Sequence, residues 1–324
     1  MMLILVMMGL TSLAGLWAFM QGAPGLGLVD RPDPRSLHTA PTVVGGGVVP
    51  VILMAGYLFV FSPMAGAHGV AWLLLILGTI GLSDDKWRLS SGPRFVSYLL
   101  AGIALPWLLL PIAQPMSPIA LIGLLALGVG VAWCINLFNF MDGADGFATV
   151  QLLCVSLGMG LIAKFGPINA EALVWCCGAL LSCTLPVLFF NWPPARLFLG
   201  DAGAIPLGFF LAVLGILAGS ANASMGAAWF ILMMPFLIDS GVTLCLRLLS
   251  GDPPHIAHRD HAYQRLVLRI GTPLPVTLGL VVLQAAWQFP LAVTAVNTEL
   301  FPPLLVLLSA IPSVLILVYS RSTQ

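Results

Sequence analysis

The feature that most constrains this chain is a series of apolar segments that runs from one end to the other. A bilayer core about 30 Å thick requires about 20 apolar residues per transmembrane helix. Segments near this length occupy residues 2–20, 45–62, 69–83, 95–112, 117–138, 146–163, 169–190, 203–220, 226–249, 272–293 and 300–319. The sequence therefore predicts an all-α, polytopic integral membrane protein with about eleven transmembrane helices.

The composition excludes a soluble globule. Hydrophobic residues make up 60% of the 324 residues and charged residues only 7%, whereas soluble domains carry about 25% charged residues. The formal net charge is zero, which argues against a nucleic acid partner because such a partner needs a basic face. No repeat, low-complexity tract or separate soluble segment interrupts the pattern, so we interpret residues 1–324 as a single membrane-embedded domain.

Basic residues are distributed unequally between the two sets of loops. Eleven of the twelve lysines and arginines follow odd-numbered segments or end them, and Lys164 is the exception. Basic residues accumulate on the cytoplasmic side, so the sequence predicts an external N-terminus and a cytoplasmic C-terminus. Ten of the twelve acids and four of the five histidines lie on this same side. Such a concentration of ionisable groups indicates an active site at the cytoplasmic face of the membrane.

Polar residues at every third position mark the end of the fifth segment. They are Asn136, Asn139, Asp142 and Asp145, and apolar residues and glycines separate them. Neighbours at this spacing share one face of a helix, and the glycines at 143 and 146 indicate that the helix ends there. Because buried polar groups are costly in an apolar helix, this segment is the strongest candidate for a functional site.

Two further segments contribute carboxylates. Asp84 and Asp85 are adjacent at the end of the third segment, and such a pair repels unless a cation or donor lies between them. Asp201 lies between two glycines at a helix entrance, where backbone N–H groups favour an anion. A simple helix N-cap is the alternative for Asp201. Carboxylate and amide oxygens together select a hard cation such as Mg²⁺, which commonly accompanies a phosphorylated substrate.

The remaining polar segments supply imidazole and guanidinium groups. His38 lies in a loop before three glycines at residues 45–47, which serve either close approach to a ligand or helix packing. Arg196 lies in the loop before Asp201. The longest loop carries four further candidates, His258, Arg259, His261 and Arg265. We interpret the basic groups of that loop as donors to phosphate oxygens; a zinc site of three histidines is a weaker alternative.

Carboxylates, a divalent cation and basic donors together form a phosphoryl-transfer site. At a membrane face, the natural acceptor is a phosphorylated lipid. In order and spacing, the polar segments resemble those of the polyprenyl-phosphate N-acetylhexosamine-1-phosphate transferases, glycosyltransferase family 4. The matching motifs are Asp-x-Pro to Gly-Gly at 30–46, Asp-Asp at 84–85, Asn-x-x-Asn-x-x-Asp-Gly at 136–143, Phe-x-Gly-Asp at 198–201 and the late histidine loop.

The form of the histidine loop refines the resemblance. Residues 258–264 read His-Arg-Asp-His-Ala-Tyr-Gln, which is similar to the branch that initiates O-antigen synthesis in lipopolysaccharide. The related phospho-N-acetylmuramoyl-pentapeptide translocase of peptidoglycan synthesis often has a run of histidines there. The pentapeptide enzyme therefore stays as the alternative within the family.

The resemblance implies a reaction and a set of residues. HexNAc-1-phosphate would pass from a UDP-N-acetylhexosamine to undecaprenyl phosphate, with release of UMP. Mg²⁺, or alternatively Mn²⁺, would be held by Asp201 and Asn139. The implied catalytic residues are Asp84, Asp85, Asp142 and His261. The implied substrate-binding residues are His38, Asn136, Asn139, Asp145, Arg196, His258, Arg259 and Arg265. The resemblance also implies a bacterial inner membrane, with the N-terminus in the periplasm, and it is compatible with a homodimer.

Three other classes of membrane protein fit the sequence less well. Acids in a transporter or flippase usually lie near the bilayer midplane, whereas here they lie at one edge. Intramembrane prenyltransferases need a second aspartate-rich motif, which residues 200–203 do not provide. CDP-alcohol phosphotransferases carry Asp-Gly-x-x-Ala-Arg, whereas Ala-Asp-Gly-Phe follows Gly143 here.

Overall fold

The computed structural model describes residues 1–32, 36–112, 116–252 and 258–322, and most of these residues are helical. The helices are α1 (Met2–Gly22), α2 (Val48–Val60), α3 (Ala67–Trp87), α4 (Ser91–Leu109), α5 (Pro118–Phe140), α6 (Phe147–Phe165), α7 (Glu171–Asn191), α8 (Asp201–Ala221), α9 (Ala223–Leu249), α10 (Ala262–Ile270), α11 (Leu274–Leu283), α12 (Phe289–Asn297) and α13 (Pro302–Arg321). A short 3-10 helix (Ala23–Leu26) follows α1. The prediction of an all-α, polytopic membrane protein is confirmed.

Ten helical segments of the described chain are long and apolar enough to cross a bilayer. They include α11 and α12, which one π-helical turn (Gln284–Gln288) joins into a continuous segment. The exception among the eleven predicted spans is the second, because α2 has only 13 residues. At 1.5 Å per residue α2 is about 20 Å long, which is shorter than the bilayer core.

The short α2 results from close packing of the glycines that precede it. The N–H groups of Gly46 and Gly47 donate to the carbonyl oxygens of Phe198 (3.0 Å) and Leu199 (2.9 Å) instead of entering a helix. A Cβ atom on Gly47 would overlap the backbone of Gly203 in α8. Of the two interpretations of these glycines, the structure supports packing, and this packing joins the first polar loop to the start of α8.

A small antiparallel sheet, which the sequence did not predict, strengthens this junction. It pairs β1 (Val29–Asp30) with β2 (Thr42–Val43). The N–H of Phe198 then donates to the carbonyl oxygen of Val43 (2.8 Å). The sheet therefore holds the loop that carries His38 beside the segment that leads into Asp201.

The central helix of the bundle is α8, which packs against α3, α5 and α9. Most of its side chains are buried. Since α3 and α5 run antiparallel to α8 across the bundle, their C-terminal ends meet its N-terminal end. This meeting point brings the Asp-Asp pair, the Asn-x-x-Asn segment and Asp201 together.

The amphipathic helix α10 lies outside the set of spanning segments and was not predicted as a separate element. Asp239 of α9 fixes its start, because its carboxylate oxygens accept hydrogen bonds from the N–H groups of Ala262 (2.8 Å) and Tyr263 (3.1 Å). The buried face of α10 packs beneath the turn between α5 and α6, through Tyr263.

Candidate active site

A cavity of about 520 Å³ lies at the end of the bundle where α3, α5 and α8 meet. All five predicted polar segments contribute to its wall. The predicted site residues that line it are His38, Asp84, Asp85, Asn139, Asp142, Asp145, Asp201 and His258. The structure therefore brings together eight side chains that are up to 220 residues apart in the sequence.

Asp85 caps the N-terminus of α8. Its two carboxylate oxygens accept hydrogen bonds from the N–H groups of Asp201 (2.8 Å) and Ala202 (3.0 Å). A carboxylate is favoured there because the first N–H groups of a helix lack partners within the helix. Asp85 thus orients the first turn of α8, and with it Asp201.

The side chain of Asp201 does not serve as an N-cap, and Gly200 occupies that position. Instead, one oxygen of Asp201 accepts a hydrogen bond from Asn139 Nδ2 (2.7 Å) and the other from Arg94 Nη1 (2.6 Å). The same nitrogen of Arg94 also forms an ion pair with Asp84. Asp84 and Asp201 are thus bridged by one guanidinium, which offsets their mutual repulsion.

Arg94 is a site residue that the sequence interpretation missed, since it counted Arg94 only toward membrane orientation. One feature of the sequence could have pointed to this role: Arg94 is a basic residue in the first turn of an apolar helix, ten positions after Asp84 of the acid pair. Its role depends on α4 folding back beside α3, and the spacing alone does not specify that contact.

Asp142 lies in the turn between α5 and α6 and faces the cavity. Burial raises the pKa of its carboxyl group well above the ordinary value, and the negative charges of Asp201 and Asp85 raise this pKa further. Several carboxylates thus converge on one cavity. Such an arrangement favours the binding of a cation.

The other end of this turn is held by hydrogen bonds. Asp145 accepts a hydrogen bond from the N–H of Ala195 (2.9 Å) through its side chain and from the Thr277 hydroxyl (2.9 Å) through its carbonyl. The Asn191 side chain, at the end of α7, accepts from the N–H of Gly146 (3.1 Å). Burial raises the pKa of the Asp145 carboxyl group. The hydrogen bond from the Ala195 N–H and, to a smaller extent, the electrostatic interaction with His38 act in the opposite direction. Asn191 is a second supporting residue that was not predicted.

The two predicted histidines of the late loop have different environments. His258 lines the cavity, and burial lowers its pKa to about 4, so the imidazole is neutral at pH 7. Its Nδ1 accepts a hydrogen bond from the N–H of Asp260 (3.3 Å), which leaves Nε2 as the protonated nitrogen. His261 is only 3% exposed and lies against the rings of Phe140 and Tyr263.

Five predicted site residues do not line the cavity in the described part of the chain. Arg196 is exposed and lies against Phe189, 5.3 Å from the ring centroid. Arg265 contacts the carboxylate of Asp260 (3.3 Å), which also pairs with Arg247. The other three are Asn136, Arg259 and His261.

Asn136 lies about one turn before Asn139 in α5 and is half-buried. Arg259 donates to the carbonyl oxygen of Ser36 (3.1 Å) and thereby joins the late loop to the first one. Three of the ionisable residues that the sequence places on the cytoplasmic side, Asp33, Arg35 and His255, lie outside the described residues. Among the residues that are described, no group of three His, Cys, Asp or Glu side chains has metal-binding geometry.

Known proteins resemble this chain in the region that carries the site. The profile of glycosyl transferase family 4 matches residues 67–219. The decaprenyl-phosphate N-acetylglucosaminephosphotransferase of Mycolicibacterium smegmatis is 30% identical over 305 residues, covering 75% of this chain and 72% of that protein. A protein of Bacillus subtilis named a probable undecaprenyl-phosphate N-acetylglucosaminyl 1-phosphate transferase is 25% identical, covering 75% of this chain and 70% of that protein.

The phospho-N-acetylmuramoyl-pentapeptide-transferase of Gluconobacter oxydans is 27% identical, covering 57% of this chain and 61% of that protein. The fold and the acidic cavity define a membrane-embedded transferase, and the chain belongs to glycosyl transferase family 4. It is an enzyme of the polyprenyl-phosphate N-acetylhexosamine-1-phosphate transferase type, as the motifs predicted.

Proposed function

We propose that this enzyme transfers HexNAc-1-phosphate from a UDP-N-acetylhexosamine to undecaprenyl phosphate, releases UMP, and so initiates O-antigen or another cell-envelope polysaccharide. The observation that carries the proposal is the cavity at one end of an apolar bundle, which Asp84, Asp142 and Asp201 line together. Arg94 bridges two of these acids, Asp84 and Asp201. A lipid phosphate reaches such a site while its isoprenoid chain stays in the bilayer.

The dimensions and charge of the cavity suit a nucleotide sugar. Small-molecule sites commonly have volumes of about 300–1,000 Å³, and the present cavity lies within this range. Lys86 and Arg88 line its wall and supply positive charge for phosphate oxygens. The names of the mycobacterial and Bacillus relatives favour N-acetylglucosamine as the sugar, and the late-loop motif favours the O-antigen branch.

The donor set of the cavity fits Mg²⁺, with Mn²⁺ as an alternative. Mg²⁺ is usually bound by one or two carboxylates together with water and substrate phosphates, so three protein carboxylates on one ion are not required. Asp201 would hold the ion through its carboxylate and Asn139 through its amide oxygen. A bound cation would neutralise charge that develops on the diphosphate.

The lipid phosphate itself acts as the nucleophile. Its second pKa is about 6, so at pH 7 the attacking oxygen is largely unprotonated and needs no strong base. It forms a bond to the β-phosphorus of the UDP-sugar, while the bond from that phosphorus to the UMP oxygen breaks. The basic side chains of the cavity offset the repulsion between the two anions. Asp85 is engaged by two N–H groups and Asp84 by Arg94, which disfavours either as a covalent nucleophile.

A direct reaction predicts that enzyme without lipid acceptor releases no UMP. We expect that purified, lipid-stripped protein incubated with the UDP-sugar forms no stoichiometric UMP. Labelled UMP should also not exchange into the UDP-sugar under these conditions. Release of one UMP per enzyme, or rapid exchange, would require a covalent phosphosugar intermediate on an aspartate and would refute direct attack.

The proposed orientation gives a second prediction. Reporters inserted near residues 84–94, 191–202 and 250–270 should give cytoplasmic signals, and a reporter near residues 164–170 should give a periplasmic one. The physical reason is the accumulation of eleven basic residues on the first side and one on the other. A periplasmic signal from the 250–270 loop would contradict both the orientation and the cytoplasmic site.

The experiment that tests the proposed substrate uses purified enzyme, undecaprenyl phosphate and a panel of UDP-N-acetylhexosamines. We expect UMP formation with at least one of these sugars and only when lipid is present. UDP-N-acetylmuramoyl-pentapeptide is included in the panel. If it alone is accepted, the enzyme is the pentapeptide transferase, and the O-antigen role is refuted.

A further inference from the structure

The turn that carries Asp142 is bridged from beneath by a single hydroxyl group. Tyr263 of α10 is buried, with 2% of its surface exposed. Its O–H donates a hydrogen bond to the carbonyl oxygen of Phe140 (2.9 Å), and its oxygen accepts one from the N–H of Gly143 (3.1 Å). The two bonded residues lie on either side of Asp142. The hydroxyl therefore fixes the chain two residues before and one residue after this acid.

The residue at position 143 must be small for this bridge to form. A Cβ atom on Gly143 would overlap the Tyr263 hydroxyl oxygen. Any larger residue there would push the hydroxyl away from both of its backbone partners. Gly143 and Tyr263 are therefore matched to each other, although 120 residues separate them.

The position of the hydroxyl is itself rigid. The Tyr263 ring stacks on Phe147 at a centroid distance of 4.9 Å and an interplanar angle of 15°, and Phe147 stacks on Phe236 of α9. The carboxylate of Asp239 holds the N–H of Tyr263 at the start of α10. Close packing of this kind leaves a side chain little freedom to adjust.

Asp142 depends on this bridge more than its neighbour Asp145 does. Asp145 and Gly146 have hydrogen-bond partners on α7 and in the following loop. The Asp142 side chain faces the cavity, and no hydrogen bond to it is formed by the side chains that the structure describes. The place of its carboxylate is therefore set by the backbone of the turn.

We propose that Tyr263 is a positioning residue that holds the Asp142 carboxylate in the cavity and so links α10 to the transfer reaction. This inference rests on the proposed function, because it gives Asp142 a part in that reaction. Tyr263 does not line the cavity and acts through the turn alone.

The test is Tyr263→Phe, which removes the hydroxyl and keeps the stacked ring. We expect kcat to fall about 10- to 100-fold, as displacements of about 1 Å in a reacting group do. The KM for undecaprenyl phosphate should change little, because Tyr263 does not line the cavity. Amide hydrogen exchange should become faster in peptides that cover residues 139–146.

The matched control is Tyr57→Phe. Tyr57 is equally buried, and its hydroxyl has no hydrogen-bond partner among the described residues. It lies in α2 and does not line the cavity. Neither turnover nor exchange in residues 139–146 should change in this variant. If the Tyr263→Phe variant keeps the turnover of the wild type and the same amide exchange in residues 139–146, the proposal is overturned.

A double-mutant cycle with Asp142→Asn separates positioning from a general structural role. If Tyr263 acts through Asp142, then Tyr263→Phe should cost little further activity in the Asp142→Asn background, because coupled residues are not additive. If the two losses multiply in full, the hydroxyl does not act through Asp142 and the proposal is refuted. If the wild-type enzyme transfers no HexNAc-1-phosphate from any donor, the proposed function fails first. Exchange in residues 139–146 then still tests the bridge.

Discussion

Asp201→Asn is expected to reduce turnover by at least about 10³-fold, which corresponds to the several kcal/mol that a catalytic metal ion contributes. Asp201 begins the central helix, where it accepts hydrogen bonds from Asn139 and Arg94. An asparagine lacks the negative charge that a divalent cation requires and presents an N–H to groups that are themselves donors. Initial rates of UMP formation with saturating substrates measure the effect.

Two controls show whether the loss arises at the site. Asp252→Asn changes an exposed aspartate just beyond α9 and should leave the rate unchanged. The thermal unfolding midpoint of the Asp201→Asn protein in detergent should stay close to that of the wild type, because the Asp85 cap of α8 uses backbone N–H groups that remain. A variant that keeps more than a tenth of the wild-type rate would remove Asp201 from the proposed metal site.

Excess chelator is expected to abolish transfer, and Mg²⁺ or Mn²⁺ to restore it. The reason is the charge of the cavity. Burial and the nearby charges of Asp201 and Asp85 raise the pKa of Asp142, and a diphosphate donor and a phosphate acceptor bring further negative charge. Bringing these anions together without a divalent cation is unfavourable.

Titration of the added metal measures this dependence. We expect a loss of at least about 100-fold on chelation, from the charge stabilisation that a metal ion provides. Chelator that has been saturated with Mg²⁺ beforehand is the control, and it should not inhibit. Full turnover in free excess chelator would contradict the assignment of Asp201 and Asn139 as metal-binding residues.

The sequence predicted the polar segments that meet at the cavity, because charged groups are rare in this chain and lie on one side of it. The apolar segments likewise predicted the membrane helices, apart from the length of the second one. There, Gly46 and Gly47 look like part of an apolar span, but they pair with backbone groups near the start of α8.

The residues that the sequence did not predict act through contacts between distant helices. Arg94 bridges Asp84 and Asp201 only because α4 folds back beside α3. Asn191 and Tyr263 hold the turn of Asp142 and Asp145 from α7 and α10. Each is a common residue in an unremarkable context, so its role becomes visible only from the packing. Asp85 was itself predicted as a site residue, but its capping contact with α8, which spans 116 residues of sequence, was not.

Following the β-phosphorus of the donor tests the central claim most directly. UDP-N-acetylglucosamine labelled with ³²P at the β-phosphate is incubated with the purified enzyme, Mg²⁺ and undecaprenyl phosphate. Transfer of sugar-1-phosphate predicts that the label enters the lipid and that one UMP appears for each labelled lipid. Formation of glycosylated lipid with the label left in water-soluble UDP would show that the sugar moves without its phosphate, and this result would contradict the account.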